Sequence, residues 1–140
     1  MQISAKIDYA CRAILELALH WPNKTPLQVT EIASKQHIPI QFLTHILLNL
    51  KQLGYVKSVR GKHGGYLLTK APDRINLKNI LIELGMNQFL TVQPTAYKEN
   101  VIQKIWSEIE NEALEKLQQL NFEGIINRKK RSENIASFEI

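Results

Sequence analysis

The sequence predicts a mainly α fold with a small β-wing and a long C-terminal helix. Two short amphipathic segments are separated by a break at residues 37–39, and a glycine-rich stretch with strand-forming flanks follows over residues 55–69. Farther along the chain, apolar residues recur at helical spacing over residues 98–121. Helix, short turn, helix and hairpin in this order are typical of the winged helix-turn-helix.

The length and composition indicate one compact globular domain with an appendage. The chain has 140 residues, of which 44% are hydrophobic and 22% are charged, as expected for a protein that folds around its own core. No leader pattern and no run approaching about 20 apolar residues is visible, so we expect a cytoplasmic protein with no membrane partner. The one cysteine, Cys11, excludes an internal disulfide and any site built from several thiolates.

The first three predicted helices share an apolar spacing of three and four residues. Residues 3–20 form the first, which ends before Pro22, and residues 28–36 form the second. The third begins at Ile40, and Gly54 is placed to end it in the left-handed conformation. The residues expected on its core-facing side are Leu43, Ile46, Leu47, Leu50 and Leu53.

The wing is predicted from residue composition. Residues 55–60 and 66–69 are rich in strand-forming side chains, and the glycine-rich residues 61–65 between them predict a flexible hairpin tip. The chain therefore presents a two-stranded wing directly after its third helix.

The rest of the chain divides into four segments. Residues 75–84 predict a fourth helix closed by Gly85, residues 86–97 predict a loop, and residues 98–121 predict the long helix. Residues 122–140 are polar and charged enough to predict a basic, mobile tail. The long helix is expected to form a homodimer because its apolar stripe exceeds what a small domain can cover. The stripe consists of Ile102, Ile105, Ile109, Ala113 and Leu117.

The positive charge is concentrated in the first half of the chain. Residues 1–70 carry nine Lys and Arg against three Asp and Glu, whereas residues 71–140 carry nine against ten. Such an asymmetry suits a polyanionic partner, because each neutralised phosphate releases condensed counterions.

The predicted winged helix over residues 1–85 brings candidate DNA contacts together. The side of helix three opposite its apolar face is polar, which fits base reading in the major groove but also fits an ordinary solvated surface. The wing favours DNA, because its tip combines glycines with positive side chains, and Lys6 and Lys57 extend the basic surface. We predict seven DNA-contacting residues: Gln41, Thr44, His45, Lys51, Arg60, Lys62 and His63.

Three segments, residues 1–13, 31–36 and 50–68, resemble the family of bacterial regulators that includes IscR, NsrR and CymR. The most specific piece is SVRGKHGGY over residues 58–66, which is similar to the family's wing signature, and Trp106 resembles a further family feature. The resemblance implies a homodimer that binds a palindromic operator through the winged helix. It also implies that Gln41 and Thr44 occupy recognition-helix contact positions and that Arg60 is the wing arginine.

The chain also departs from that family pattern. Members that hold an iron-sulfur cluster bind it through three cysteines before the long helix, whereas residues 86–97 contain none, so we expect a member without the cluster and with no cofactor. His37 stands where the turn commonly has Gly, Pro39 stands where a Ser often caps the helix, and Gln28 is a poor cap for helix two.

The remaining side chains that could react or bind a metal, namely Cys11, Asp8 and the histidines, are interpreted as having no catalytic or metal-binding role. Cys11 is expected to be a small packed residue, and Asp8 a surface or ion-paired carboxylate. The four histidines lack the spacing of a zinc helix, and no nucleophile-base set or phosphate loop is visible. We therefore expect neither a metal site nor an enzyme.

The sequence favours a DNA-binding transcription regulator, with repressor as the first hypothesis for its role, that acts as a homodimer on double-stranded DNA. Two alternatives remain at this point. One is a protein-interaction module that docks a metabolic enzyme or another regulatory protein through the long helix or residues 86–97. The other is a sensor that binds a small effector in a pocket lined by Trp106, Phe89 and Tyr97. A basic, exposed face on helix three would favour DNA, whereas an apolar patch there would favour a protein partner.

Overall fold

The computed structural model describes residues 2–22, 24–86 and 100–138 and confirms the predicted fold class. Within these residues the elements follow the order α1–α2–α3–β1–β2–α4–α5–α6, with one turn of 3₁₀-helix before α4. The helices are α1 Ala5–Leu19, α2 Val29–Gln36, α3 Ile40–Gln52, α4 Leu77–Glu83, α5 Val101–Gln119 and α6 Phe122–Phe138. The strands are β1 Val56–Val59 and β2 Gly65–Leu68, and the 3₁₀ turn is Pro72–Arg74.

Helices α2 and α3 meet at a tight turn. His37 ends α2 with φ 54° and ψ 47°, in the left-handed region, and its backbone N–H donates to the carbonyl of Ala33. The resembled family commonly has Gly at this position of the turn. Histidine tolerates the left-handed conformation better than a β-branched residue would. Neither Gln28 nor Pro39 supplies a side-chain cap to the helix that follows it, as their residue types predict.

The core lies where α1 packs against α2 and α3. Four of the five apolar residues expected to face inward on α3 are buried, and Leu53, at the helix end, is exposed. Gly54 follows with φ 86°, which confirms the predicted left-handed stop. Because its inner side is fully packed, α3 is held rigidly on the domain.

The wing is an antiparallel pair in which Val56 lies opposite Leu68 and Val59 opposite Gly65. Leu27 joins the outer edge of β2: its N–H donates to the Tyr66 carbonyl at 3.0 Å, and the Tyr66 N–H donates back at 2.8 Å. A Cβ on Gly65 would lie 2.3 Å from the carbonyl oxygen of Leu27, so only glycine permits this approach. The base of the wing is thereby fixed to the segment that leads into α2.

The predicted mobile tail over residues 122–140 is wrong for the part that the structure describes. Residues from Phe122 onward form α6, which packs against α1 and the 3₁₀ turn. Phe122 and Ile126 lie one helical turn apart and are 1% and 8% exposed. Burial of these two side chains stabilises the helix despite the charged residues that follow. The N-terminal domain therefore includes α6 as well as residues 2–85.

Helix α5 lies within the predicted span 98–121 and is tied to the domain at its C-terminal end. The Leu77 N–H donates to the Leu120 carbonyl at 2.8 Å, and the Phe122 N–H donates to the Ile75 carbonyl at 3.1 Å. The side chain of Asn76 also donates to the carbonyl of Gln118. All but the first residue of the predicted 86–97 loop lies outside the described residues. In the described part of the chain, no helix has the length and apolar character needed to cross a bilayer.

Candidate nucleic-acid interface

The outer side of α3 presents the side chains predicted to contact DNA. At about 100° per residue, Gln41 and His45 fall opposite the buried Leu43 and Leu50, and Thr44 lies about 100–120° from them. All three side chains are exposed. Leu48 lies among them and is also exposed. This side of α3 is therefore accessible over at least two turns.

Gln41 and Thr44 have different hydrogen-bonding capacities. The Thr44 hydroxyl donates to the carbonyl of Ile40 at 2.9 Å, so its proton is engaged and its oxygen is left as an acceptor. An acceptor suits the exocyclic amino group of adenine or cytosine, whereas a glutamine amide can donate to and accept from adenine at once. The two residues are therefore suited to read different base edges.

Lys51 connects α3 to the wing. Its Nζ donates to the hydroxyl of Ser58 on β1 at 2.8 Å. An ammonium group has three donors, so Lys51 keeps two for a phosphate while it holds the wing at a fixed position relative to α3.

The wing tip is a narrow positive projection. Arg60, Lys62 and His63 are exposed, and the Gly64 N–H donates to the Gly61 carbonyl at 3.0 Å to close the tip. Positive side chains on a thin hairpin can follow phosphates or enter a minor groove.

The charge of this half of the domain has one sign. Between Glu31 and Asp73, residues 32–72 contain six Lys and Arg and no Asp or Glu. These residues include the turn, α3 and the whole wing. The part of the surface that these residues form is therefore positive, so it attracts a polyanion and repels basic partners. The six cations are Lys35, Lys51, Lys57, Arg60, Lys62 and Lys70.

A polar cluster between α1 and α2 positions the turn. Glu16 is 5% exposed, and its Oε1 accepts from Gln36 Nε2 at 3.0 Å while Oε2 lies 3.4 Å from His20 Nε2. Arg12 donates to the backbone carbonyl of Gln36 at 3.1 Å and pairs with Asp8 at 2.5 Å. The last residue of α2 is thereby fastened to α1 immediately before the turn.

Neither Glu16 nor Gln36 was predicted to take part in this cluster. The available signal was the four-residue spacing of Glu16 and His20, which places both on one side of a helix. Asp8 takes the ion-paired role expected for it.

The donor set does not fit a cluster held by cysteine thiolates. Cys11, the one cysteine of the chain, packs against the core. Burial, with a smaller contribution from the Asp8 carboxylate, raises the pKa of its thiol to about 12, so it stays protonated and is a poor ligand. Among residues 2–22, 24–86 and 100–138, no group of three or more His, Cys, Asp or Glu side chains is placed to hold a metal ion.

Comparison with known proteins identifies similar chains. A family profile described as Rrf2, iron-dependent transcriptional regulator, matches residues 3–128. The transcriptional regulator IscR of Erwinia tasmaniensis is 40% identical over 75 residues, which cover 54% of this chain and 45% of that protein. The chain spans about half the length of the curated relatives it matches.

Two solved structures are similar over nearly the whole chain. CymR, the global cysteine regulator of B. subtilis, is similar with a TM-score of 0.83 and 26% identity, and the match covers 91% of this chain and 98% of CymR. IscR of T. potens has a TM-score of 0.78 and 25% identity, with coverages of 94% and 90%. The similarity therefore includes α5 and α6 as well as the winged helix.

Proposed function

Because the chain belongs to the Rrf2 family of transcriptional regulators, we propose that it acts in the cytoplasm as a DNA-binding repressor, as a homodimer on a palindromic operator. The family and the relatives are named as regulators, which confirms the prediction that the chain is not an enzyme. The observation that carries the proposal is the continuous surface of α3 and the wing, in a stretch of 41 residues without a carboxylate.

In this proposal α3 enters the major groove and the wing contacts the backbone. Gln41, Thr44 and His45 read base edges from the exposed side of α3. Lys51 and Lys62 meet phosphates, because an ammonium is a point charge without the planar fork used in bidentate base contacts. The remaining wing residues, Arg60 and His63, reach the adjacent minor groove, where an arginine favours the narrow groove of A·T-rich DNA.

The exposed stripe of α5 supports the dimer. The helix has 19 residues, a length of about 28 Å, and none of them is buried within one chain. Ile105, Trp106 and Ile109 are 41%, 44% and 45% exposed. A second copy related by a twofold axis would cover this stripe and would place two α3 helices on the two halves of a palindrome.

The signal that controls the repressor differs from a cysteine-held cluster. The chain cannot supply three thiolates, so the iron dependence in the family description does not extend to it through that ligand set. We propose a regulatory protein or a small effector as the signal. Of the three aromatic residues suggested for an effector site, Phe89 and Tyr97 lie outside the described residues, and Trp106 is exposed on α5.

The proposal is tested with an operator selected by the protein from random duplexes. Gln41→Ala should cost about 1–3 kcal/mol on that operator and leave random DNA nearly unaffected, because base contacts specify the sequence. Lys62→Ala should weaken both duplexes alike and reduce the salt slope by about one unit per half-site.

Titrations at several salt concentrations measure both effects. The matched control for loss of an exposed lysine is Lys104→Ala, which lies on the side of α5 away from the apolar stripe. The division of roles is wrong if Gln41→Ala weakens both duplexes equally or if Lys62→Ala leaves the salt slope unchanged.

A further inference from the structure

Leu48 is an exposed leucine at the centre of the DNA-facing side of α3. Its side chain is 46% exposed, and it belongs neither to the buried core nor to the half-buried apolar residues that pack against it. It lies seven residues after Gln41, four after Thr44 and three after His45, so it shares their side of the helix. Among the residues that the structure describes, no packing role accounts for an apolar side chain at this position.

The other exposed apolar residues of α3 do not form one patch with Leu48. Ile40 and Phe42 are 51% and 62% exposed, but they lie about 80° and 120° around the helix from Leu48. The Phe42 ring also contacts Tyr9 of α1, with ring centroids 6.5 Å apart. The residues that adjoin Leu48 along its own side are Thr44, His45, Lys51 and Gln52. Such surroundings suit DNA better than an apolar protein surface.

The major groove offers one apolar group to a leucine at this position. Base edges carry hydrogen-bond donors and acceptors, and an apolar side chain that covered them would desolvate them without compensation. The exception is the C5-methyl group of thymine. Resting on the proposed function, we infer that Leu48 is a specificity-determining residue that contacts a thymine methyl group in each half-site.

The spacing along α3 relates this contact to the base read by Gln41. Seven residues correspond to about 10 Å along the helix axis, so the two side chains reach different base pairs of the same half-site. Hydrogen bonding by Gln41 and methyl contact by Leu48 then select adenine and thymine by separate means.

Replacing thymine by uracil removes the methyl group and keeps the hydrogen-bonding edge. Each thymine of the selected operator is replaced singly by uracil, and binding is measured for the wild-type protein and for Leu48→Ala. The wild-type protein should lose about three- to fivefold in affinity at one position of each half-site, as expected for one buried methyl group. Leu48→Ala should bind the thymine and uracil duplexes equally at that position.

The control variant is Ile82→Ala, which removes an exposed apolar side chain from α4 and should keep the full sensitivity to uracil. Equal thermal midpoints for the wild-type protein and Leu48→Ala establish that the variant is folded. If an operator is selected but no uracil substitution weakens binding, or if Leu48→Ala keeps the wild-type sensitivity, this inference is overturned and the proposed function stands. If no preferred sequence is selected, the proposed function fails, and the inference fails with it.

Discussion

Helices α3 and α5 carry similar apolar stripes but meet different surroundings. In α3, Leu43, Leu47 and Leu50 are all 0% exposed, because α1 of the same chain covers them. In α5, no residue is buried, and Ile105 and Ile109 are 41% and 45% exposed. A stripe at helical spacing therefore predicts that a helix has a partner and does not say whether that partner is in the same chain.

The difference follows from where each helix is connected. Helix α3 sits between the turn at His37 and the wing, so both of its ends return to the domain. Helix α5 contacts α4 through Leu114 and through Leu117 at the edge of the predicted stripe, whereas Ile105 and Ile109 of that stripe are exposed. We therefore expect substitutions in the two stripes to affect different equilibria.

The largest effect is expected from Leu47→Ala. Removing this fully buried side chain should lower the free energy of unfolding by about 2–5 kcal/mol, a large part of the total for a small domain. Urea denaturation followed by circular dichroism measures it, with Ile105→Ala as the control from the exposed stripe. The contrast between the helices would be contradicted if the two variants, both measured as monomers, lost equal amounts of unfolding free energy.

The second effect is loss of the dimer in the double variant Ile105→Glu, Ile109→Glu. Each chain should keep its helical content but sediment as a monomer, and affinity for a palindromic operator should fall by about 100-fold or more, since the two half-sites are no longer linked. The matched control is Ser107→Glu, Asn111→Glu, which places the same two charges on the opposite side of α5. A wild-type protein that is monomeric at micromolar concentration would refute the proposed interface.

The smallest effect is the dependence of wild-type stability on protein concentration. If folding and dimerisation are linked, each tenfold increase in concentration should add about 1.4 kcal/mol per dimer to the free energy of unfolding. The thermal midpoint should therefore rise with concentration for the wild-type protein and stay constant for Ile105→Glu, Ile109→Glu. If the thermal midpoint of both proteins is independent of concentration, folding is not linked to dimerisation.

The winged helix could be predicted from the sequence because its signals are local. The spacing of Leu43, Leu47 and Leu50 identifies the inner side of α3, and Gly54 marks its end. Helix α6 could not be predicted in this way. The two buried residues Phe122 and Ile126 are followed by residues 127–133, of which five of seven are charged. The burial of Phe122 and Ile126 depends on the space beside α1, which is a tertiary property.

The candidate site was predicted only in part for similar reasons. The residues chosen on α3 and the wing are exposed, and their contacts with DNA stay a prediction. Leu48 was placed neither on the core-facing side nor among the DNA contacts, because those contacts were chosen from polar and charged side chains. Glu16 and Gln36 are 20 residues apart, and no local spacing indicates that they meet.

The joint between α5 and the domain has a consequence for the operator itself. The backbone bonds from Leu77 to Leu120 and from Phe122 to Ile75 fix the direction in which α5 leaves the core. In the proposed dimer that direction sets the distance between the two copies of α3, which must match about one turn of DNA or a multiple of it. The number of base pairs between half-sites is then determined at a joint that touches no DNA, and a relative with a different angle there would require a differently spaced palindrome even with an identical α3.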